Sequence, residues 1–383
     1  MSRDLTDEER LLRDTVREFA GREVAPGAIE RDETERYDRS LFQAMGALGL
    51  TGAPFEERVG GAGFSYLAWT LVMEELGAAD MAMAVSLSVH ILSQFPVVSW
   101  GSDEQRARWL PAMQAGEALG AFALTEPHAG SDAAAIRQRA ERDGEGYRLT
   151  GTKIWISNAP EADRYLVFAT VDPGAGSRGI TAFLVEKGMA GFRFGAHERK
   201  MGIRACPAAE LIFEDCLVPA ANRLGAEGEG YRIALSALGE GRISIAAACV
   251  GLARAGLEVA ARYLGERQAF GAPLAEQQGL RFMLAEMARD VAVARALTSE
   301  AAAAKDRGGP LAEVSSLAKW VASDAAMRVA MDAVQLFGGS GYSRETGVER
   351  LMRDAKGAQI YEGTNQIHRE IIAGEVLKRA GSG

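Results

Sequence analysis

Histidine and cysteine are scarce in this 383-residue chain, which holds four of the first and three of the second. His90, His128, His197 and His368 are scattered, with no pair at metal-ligand spacing, so no zinc or iron centre is expected. Cys206, Cys216 and Cys249 form no CxxC, and their odd number fits a reducing compartment better than a disulfide framework. They read as small core residues. There is no GxSxG elbow, no internal repeat and no low-complexity tract. A basic tail is missing too: the net charge is −9, and Lys and Arg stand among acids, as in Glu35-Arg36 and Asp38-Arg39, which argues against a nucleic-acid partner. The opening segment, Met1 to Leu5, is charged and lacks the apolar core of an export signal, so a cytoplasmic protein is expected. Met81 to Trp100 lacks Asp, Glu, Lys and Arg over a span long enough to cross a membrane. Ser86, Ser88, His90, Ser93, Gln94 and Pro96 would be costly against lipid, so a helix buried in protein, and no membrane span, is the expectation.

What is present is a chain that is 48% hydrophobic, enough to bury a sizeable core over two or three domains. Helical signals fill the first third. Thr6 to Glu9 makes a capping box ahead of Leu12, Val16 and Phe19 on one face, and Ser102 to Gln105 makes a second start. From Leu119 the pattern turns to short runs rich in β-branched and aromatic residues: Ala121 to Leu124, Ile154 to Ile156, Tyr165 to Val171, Ile180 to Val185, and last Glu210 to Phe213. After Gly225, Gly228 and Gly230, helical spacing returns over Arg242 to Leu264, Glu276 to Lys305 and Leu311 to Phe337. The expected division is a helical domain (1–118), a β-domain (119–226) and a bundle of long helices (227–383).

One phosphate-loop pattern occurs, Gly174 to Gly179, a formal GxGxxG. The residues after it, Ile180 to Phe183, form a strand pattern and not the helix whose N-terminus would face a pyrophosphate, so a hairpin turn is expected. More informative is Leu124 to Asp132 (LTEPHAGSD), where a strand ends in a loop with Thr125, Gly130 and Ser131 that can bring N–H groups and a hydroxyl to a phosphate. A polar loop closing a strand is the equal alternative for that segment alone.

Three further motifs follow it in order: Gly151 to Asn158 (GTKIWISN); Arg267 to Gly271 (RQAFG) with Gln277 and Gln278; and Gln335 to Gly339 (QLFGG) followed by Ile360 to Gln366 (IYEGTNQ). With all four, the chain resembles the acyl-CoA dehydrogenase family over nearly its whole length. The resemblance implies a mainly α fold with an N-terminal helical domain, a central β-barrel-like domain and a C-terminal four-helix domain, assembled as a homotetramer. It implies FAD between the β-domain and the C-terminal helices, with its nucleotide end completed by the adjacent subunit. Phe122, Leu124 and Thr125, with Trp155, Ile156 and Ser157, would then flank the isoalloxazine. Gly130 and Ser131 would line the same site. Many relatives carry threonine where Ser157 stands; serine keeps the donor and loses the methyl. Arg267, Phe270, Gln277, Gln278, Gln335, Gly338 and Gly339 resemble the set that holds the pyrophosphate and adenosine, and Thr364 and Gln366 resemble further FAD contacts.

The same resemblance makes Glu362 the base that takes the α-proton of an acyl-CoA thioester, with Gly363 allowing close approach of the substrate. Its backbone N–H would help bind the thioester oxygen. In some branches the base sits instead at the position matching Gly241, which here cannot act. Glu240, one residue away on the helix, should point elsewhere and reads as a surface or CoA-rim charge. Ser131 and Arg242 resemble CoA contacts, with a plain salt bridge the alternative for Arg242. Gln94, Phe95 and Val98 are candidate determinants of chain length. Phe270 to Leu274 and Lys200 to Arg204 look closest to the short-chain branch.

The expected activity is therefore FAD-dependent α,β-desaturation of an acyl-CoA, with electrons passed to an electron-transferring flavoprotein. A same-fold flavoenzyme acting on a carrier-protein-bound acyl group, or using oxygen, is one alternative. A non-enzymatic helical scaffold is another, and it alone would be colourless.

Overall fold

The computed structural model describes residues 5–381; the charged start, Met1 to Asp4, lies outside them. The first helices are α1 (Asp7–Phe19), α2 (Ala28–Thr34), α3 (Arg39–Ala47), α4 (Tyr66–Ala79), α5 (Met81–Trp100) and α6 (Asp103–Gln114). Both expected capping boxes form. The Thr6 hydroxyl accepts from the Glu9 N–H while the Glu9 carboxylate accepts from Thr6, and Ser102 and Gln105 repeat the exchange ahead of α6.

A sheet follows, made of β1 (Gly120–Ala123), β2 (Arg139–Asp143), β3 (Gly146–Ser157), β4 (Arg164–Thr170), β5 (Ile180–Glu186), β6 (Phe192–His197), β7 (Ala208–Pro219) and β8 (Arg223–Leu224). Its order is β6-β7-β3-β2-β4-β5-β8, with β1 parallel to β4. The GxGxxG pattern is a turn joining the antiparallel strands β4 and β5, as its sequence context requires. Strands β2, β6 and β8 were not legible. Only Ala140 is buried in the polar run of β2, and β6 is an edge strand with no buried residue, so neither shows the apolar alternation of a half-buried strand.

The last third comprises α7 (Gly230–Glu266), the two-strand ribbon β9 (Gln268–Ala269) and β10 (Ala272–Pro273), α8 (Gln278–Asp306), α9 (Ala312–Phe337), α10 (Gly339–Tyr342), α11 (Val348–Ala358) and α12 (Asn365–Gly381). Helix α7 begins twelve residues before the expected Arg242, because its interior glycines hide the helical pattern. It is central, packing on α4, α5, α8 and α9. At Gly251 a side chain would meet the carbonyl of Glu74 at 2.0 Å, so glycine sets the close approach of α7 to α4.

Helix α5 is the apolar stretch free of acidic and basic residues, and 94% of its most apolar window is buried within the protein. Several of its polar residues have protein partners, while the Ser88 hydroxyl is buried with none. His90 accepts from the Gly120 N–H at 3.0 Å on Nδ1, which leaves its Nε2–H to donate to the Met113 carbonyl at 3.0 Å. Burial pushes this imidazole down to about 3, so it is a neutral core histidine. Asn158 donates to the carbonyls of Ser86 and Gly120, tying α5 to β1 and the end of β3. All three cysteines are free and buried, as expected.

Candidate active site

Glu362 lies in the turn between α11 and α12, with left-handed backbone (φ 53°) followed by Gly363 at φ 94°. A glutamate is strained there, and persists only where neighbours fix the loop. The Tyr361 N–H donates to the Gly357 carbonyl and the Asn365 N–H to that of Gln359, both at 3.1 Å. From α9, the buried Lys319 ammonium donates to the Gly363 carbonyl at 2.8 Å and reaches Asn365 Oδ1 at 3.3 Å. Asn365 donates in turn to Ser323 and Asp324. The turn is thereby pinned to α9.

Both carboxylate oxygens of Glu362 are closed off from water and have no hydrogen-bond partner. Helix α7 supplies one wall: a Cβ on Gly241 would lie 2.8 Å from Glu362 Oε2 and 3.1 Å from Leu92 Cδ1 of α5. The two positions share one space, so a side chain at 241 would displace the carboxylate. Burial pushes the Glu362 carboxyl up to about 7, opposed by the nearby charges of Lys319 and Arg242. That value suits a base working near neutrality.

Arg242 is buried, with a weak contact to Ser316 Oγ at 3.4 Å and its Nε unpartnered. No carboxylate lies within ion-pair distance of it among the described residues, so the plain salt bridge is not observed. His368 is buried behind Gly363 with neither ring nitrogen bonded, and burial, with help from Lys319 and Arg242, pushes it down to about 3. The Glu362 N–H has no protein acceptor among the described residues and is free to donate to a ligand.

Glu240 corrects its expectation. It is not a surface charge: its side chain is 13% exposed and pairs with Lys305 of α8 at 2.5 Å. Gln94 is buried, and its amide donates to the Thr51 carbonyl. Phe95 packs edge-on to Phe55 and tilted to Tyr66, and Val98 is partly buried.

A second group forms where β1 meets β3. The Ile154 N–H donates to the Thr125 carbonyl at 3.0 Å, and Lys153 Nζ donates to the Leu124 carbonyl at 3.0 Å and to Glu126 Oε1 at 2.6 Å. The Glu126 carboxylate also accepts the N–H groups of Arg137 and Gln138, which closes the LTEPHAGSD loop from inside. Between Lys153 and Ile156 the register of β3 against β7 shifts, and Trp155 takes φ 59°. The bulge turns Trp155 out, 54% exposed, while Lys153 and Ile156 stay buried. Phe122, Thr125 and Ser157 are half-buried beside it, Leu124 is buried, and Gly130 and Ser131 are exposed.

The third group stands at the ends of α7, α8 and α9. Phe270 and Gly271, both left-handed, form the tip of the β9-β10 ribbon, with Phe270 96% exposed. The Leu274 N–H donates to the Arg267 carbonyl at 2.8 Å and closes the ribbon. Tyr263 near the end of α7 stacks on Phe337 at 4.0 Å, which sets this ribbon beside Gln335, Gly338 and Gly339. Arg267, Gln277, Gln278, Gln335, Gly338 and Gly339 are all exposed, as is Gln366, while Thr364 is half-buried. No hydrogen bond, ion pair or ring contact links this group to the Trp155 group among the described residues.

A flat, partly apolar ligand with an anionic tail fits these two groups. An aromatic ring is turned out of the sheet beside two hydroxyls, and a Cβ added at Gly130 or Gly339 would meet nothing within 4 Å, so the backbone there is open to a ligand, while Gly338 takes φ 58°, which favours glycine. Sequence reasoning missed Lys319, Lys153 and Tyr66. Lys319 left a signal, a charge beside Ala318 on a largely buried stretch of α9, whereas Lys153 left none, since Thr152 and Ile154 beside it are only half-buried.

Family models describing the N-terminal, middle and C-terminal domains of acyl-CoA dehydrogenases match residues 6–117, 121–216 and 228–377. The chain is 45% identical to an acyl-CoA dehydrogenase of Bacillus subtilis, over 97% of this chain and 99% of the relative. It is 43% identical to a short-chain specific acyl-CoA dehydrogenase of Megasphaera elsdenii, over 99% and 100%. The solved butyryl-CoA dehydrogenase from Megasphaera elsdenii superposes with a TM-score of 0.96 at 42% identity, covering 98% of this chain and 100% of that one.

Proposed function

The chain belongs to the acyl-CoA dehydrogenase family and is an FAD-dependent oxidoreductase, and from that premise we propose that Glu362 is the base with which it converts a short-chain acyl-CoA to the trans-2-enoyl-CoA. The observation that carries this is the Glu362 carboxylate itself, shut off from water, unpartnered and raised to about 7. When bound, FAD supplies the two-electron acceptor that takes the β-hydrogen with its bonding pair. The protein's own part is the proton. The Glu362 carboxylate takes it from the α-carbon, and the Glu362 N–H donates to the thioester oxygen as negative charge builds there. Gly363 keeps the backbone low enough for the thioester to approach.

Trp155, with Phe122, Leu124, Ile156 and the Thr125 and Ser157 hydroxyls, holds the flavin ring, and Gly130 and Ser131 line the same edge. Arg267, Phe270, Gln277, Gln278, Gln335, Gly338 and Gly339 hold the pyrophosphate and adenosine of FAD in a neighbouring subunit, with Thr364 and Gln366 as further contacts. Exposed apolar residues on α8 and α9, namely Phe282, Val293 and Met331, support a homotetramer that covers them. Ser131 and Arg242 hold the CoA portion. Electrons leave to an electron-transferring flavoprotein, and the enzyme works in the cytoplasm.

Mixing the purified yellow protein anaerobically with a panel of saturated acyl-CoAs should bleach the flavin band, fastest with short chains. A protein that no acyl-CoA bleaches would contradict this function, and rapid reoxidation by air would favour the oxygen-using alternative.

A further inference from the structure

Glu240 and Lys305 form an ion pair that the proton transfer does not use, and Glu240 stands next to Gly241 on α7. A Cβ at Gly241 would lie 2.8 Å from Glu362 Oε2 and 3.1 Å from Leu92 Cδ1 of α5, so Leu92 borders the same space as the carboxylate. Phe95, three residues on from Leu92, shares its face of α5 and packs tilted on Tyr66 of α4, ring centroids 6.1 Å apart. Lys305 Nζ lies 5.7 Å from the Phe95 ring centre and 5.9 Å from that of Tyr66. Its partner Glu240 is joined to the same wall, because the Tyr66 hydroxyl donates to the Glu240 carbonyl at 3.2 Å. A continuous path therefore runs from Glu362 past Gly241 and Leu92 to Phe95 and Tyr66. It ends at the ion pair.

As a stabilising device this pair is a poor choice. A carboxylate brought out of water recovers its desolvation cost only when both oxygens find partners, and Glu240 Oε2 is buried with none. Apolar side chains of similar size would pack the same gap without that cost. At the end of an acyl site, however, the cost acts on the ligand. An alkyl chain long enough to reach the pair must press methylenes against a carboxylate whose Oε2 is buried without a partner, so each added methylene loses the usual gain from apolar burial.

We propose that Glu240 and Lys305, with Tyr66 and Phe95, form the end wall of the acyl site and restrict the enzyme to short acyl chains. The proposal rests on Glu362 marking the reacting end of that site.

The test compares kcat/KM for butyryl-, hexanoyl- and octanoyl-CoA in the FAD-loaded enzyme and in the double variant Glu240→Met/Lys305→Met, which replaces the pair by apolar chains and strands no charge. The ratio for octanoyl- over butyryl-CoA should rise by about tenfold or more. An unchanged ratio in a yellow variant of parental Tm would overturn the wall. If the double variant does not fold, Phe95→Ala opens the same wall without touching the pair and carries the same expectation and the same overturning result. Failure of the unaltered enzyme to bleach with any of the three would instead overturn the desaturase function itself.

Discussion

Around Glu362 the walls come from three long helices. Helix α7 offers Gly241 and Arg242, α5 offers Leu92, and α9 offers Lys319, while the carboxylate between them is closed to water. At the ends of α7, α8 and α9 the opposite holds: Arg267, Gln335, Gly338 and Gly339 are exposed, and Phe270 stands 96% exposed on a strained turn. On the proposed roles, the first region raises a pKa, which needs exclusion of water, and the second holds a long anionic ligand. Chemistry and cofactor retention would then be built separately, and substitutions should separate them.

The largest effect is expected at Glu362. Glu362→Gln should stay yellow and bind CoA esters, yet bleach about 10²–10⁴-fold more slowly with butyryl-CoA by anaerobic stopped flow. Next comes Lys153→Met, which strands the buried Glu126 carboxylate behind the flavin-facing loop. A loss of about 3–5 kcal/mol in denaturant unfolding is expected. Arg267→Ala should weaken FAD retention in gel filtration by about tenfold while the flavoprotein that remains keeps the parental pH profile. A shifted profile there would break the proposed separation. Lys319→Met removes a charge that opposes the raised Glu362 carboxyl, so the midpoint of its pH profile should move up. The smallest effect belongs to Ser157→Thr, which keeps the hydroxyl and should change the bleaching rate by no more than about twofold.

How much of this was legible in the sequence depended on what kind of signal carried it. The capping boxes at Thr6 and Ser102, the buried α5 and the turn at Gly174 follow from local patterns, and they form as expected. Edge strands such as β6 carry no such pattern, because one face and one edge are open to water. At the site, Glu362 was singled out by its motif, but its strained backbone and its missing partners are properties of packing. Lys319 and Lys153 act through contacts between distant elements, α9 with the turn and β3 with the loop after β1. The exposure of Trp155 depends on a register shift that no single residue announces. Glu240 was misjudged for the same reason: the turn of a helix tells that it leaves the Gly241 face, and only α8 shows that it meets Lys305.

Stability should move against activity at the base. A glutamate whose folded pKa is raised favours the folded state while it is protonated and loses that advantage as pH climbs from the ordinary value of 4.5 towards about 7. The enzyme therefore gives up stability over the interval in which its base becomes active.

The most direct test of Glu362 as a desolvated base is the rate of flavin bleaching by butyryl-CoA against pH in the unaltered enzyme. A rate that climbs with pH through about 7 and then levels is expected. A midpoint at the ordinary glutamate value of 4.5, or a rate that falls as pH rises through neutrality, would contradict it.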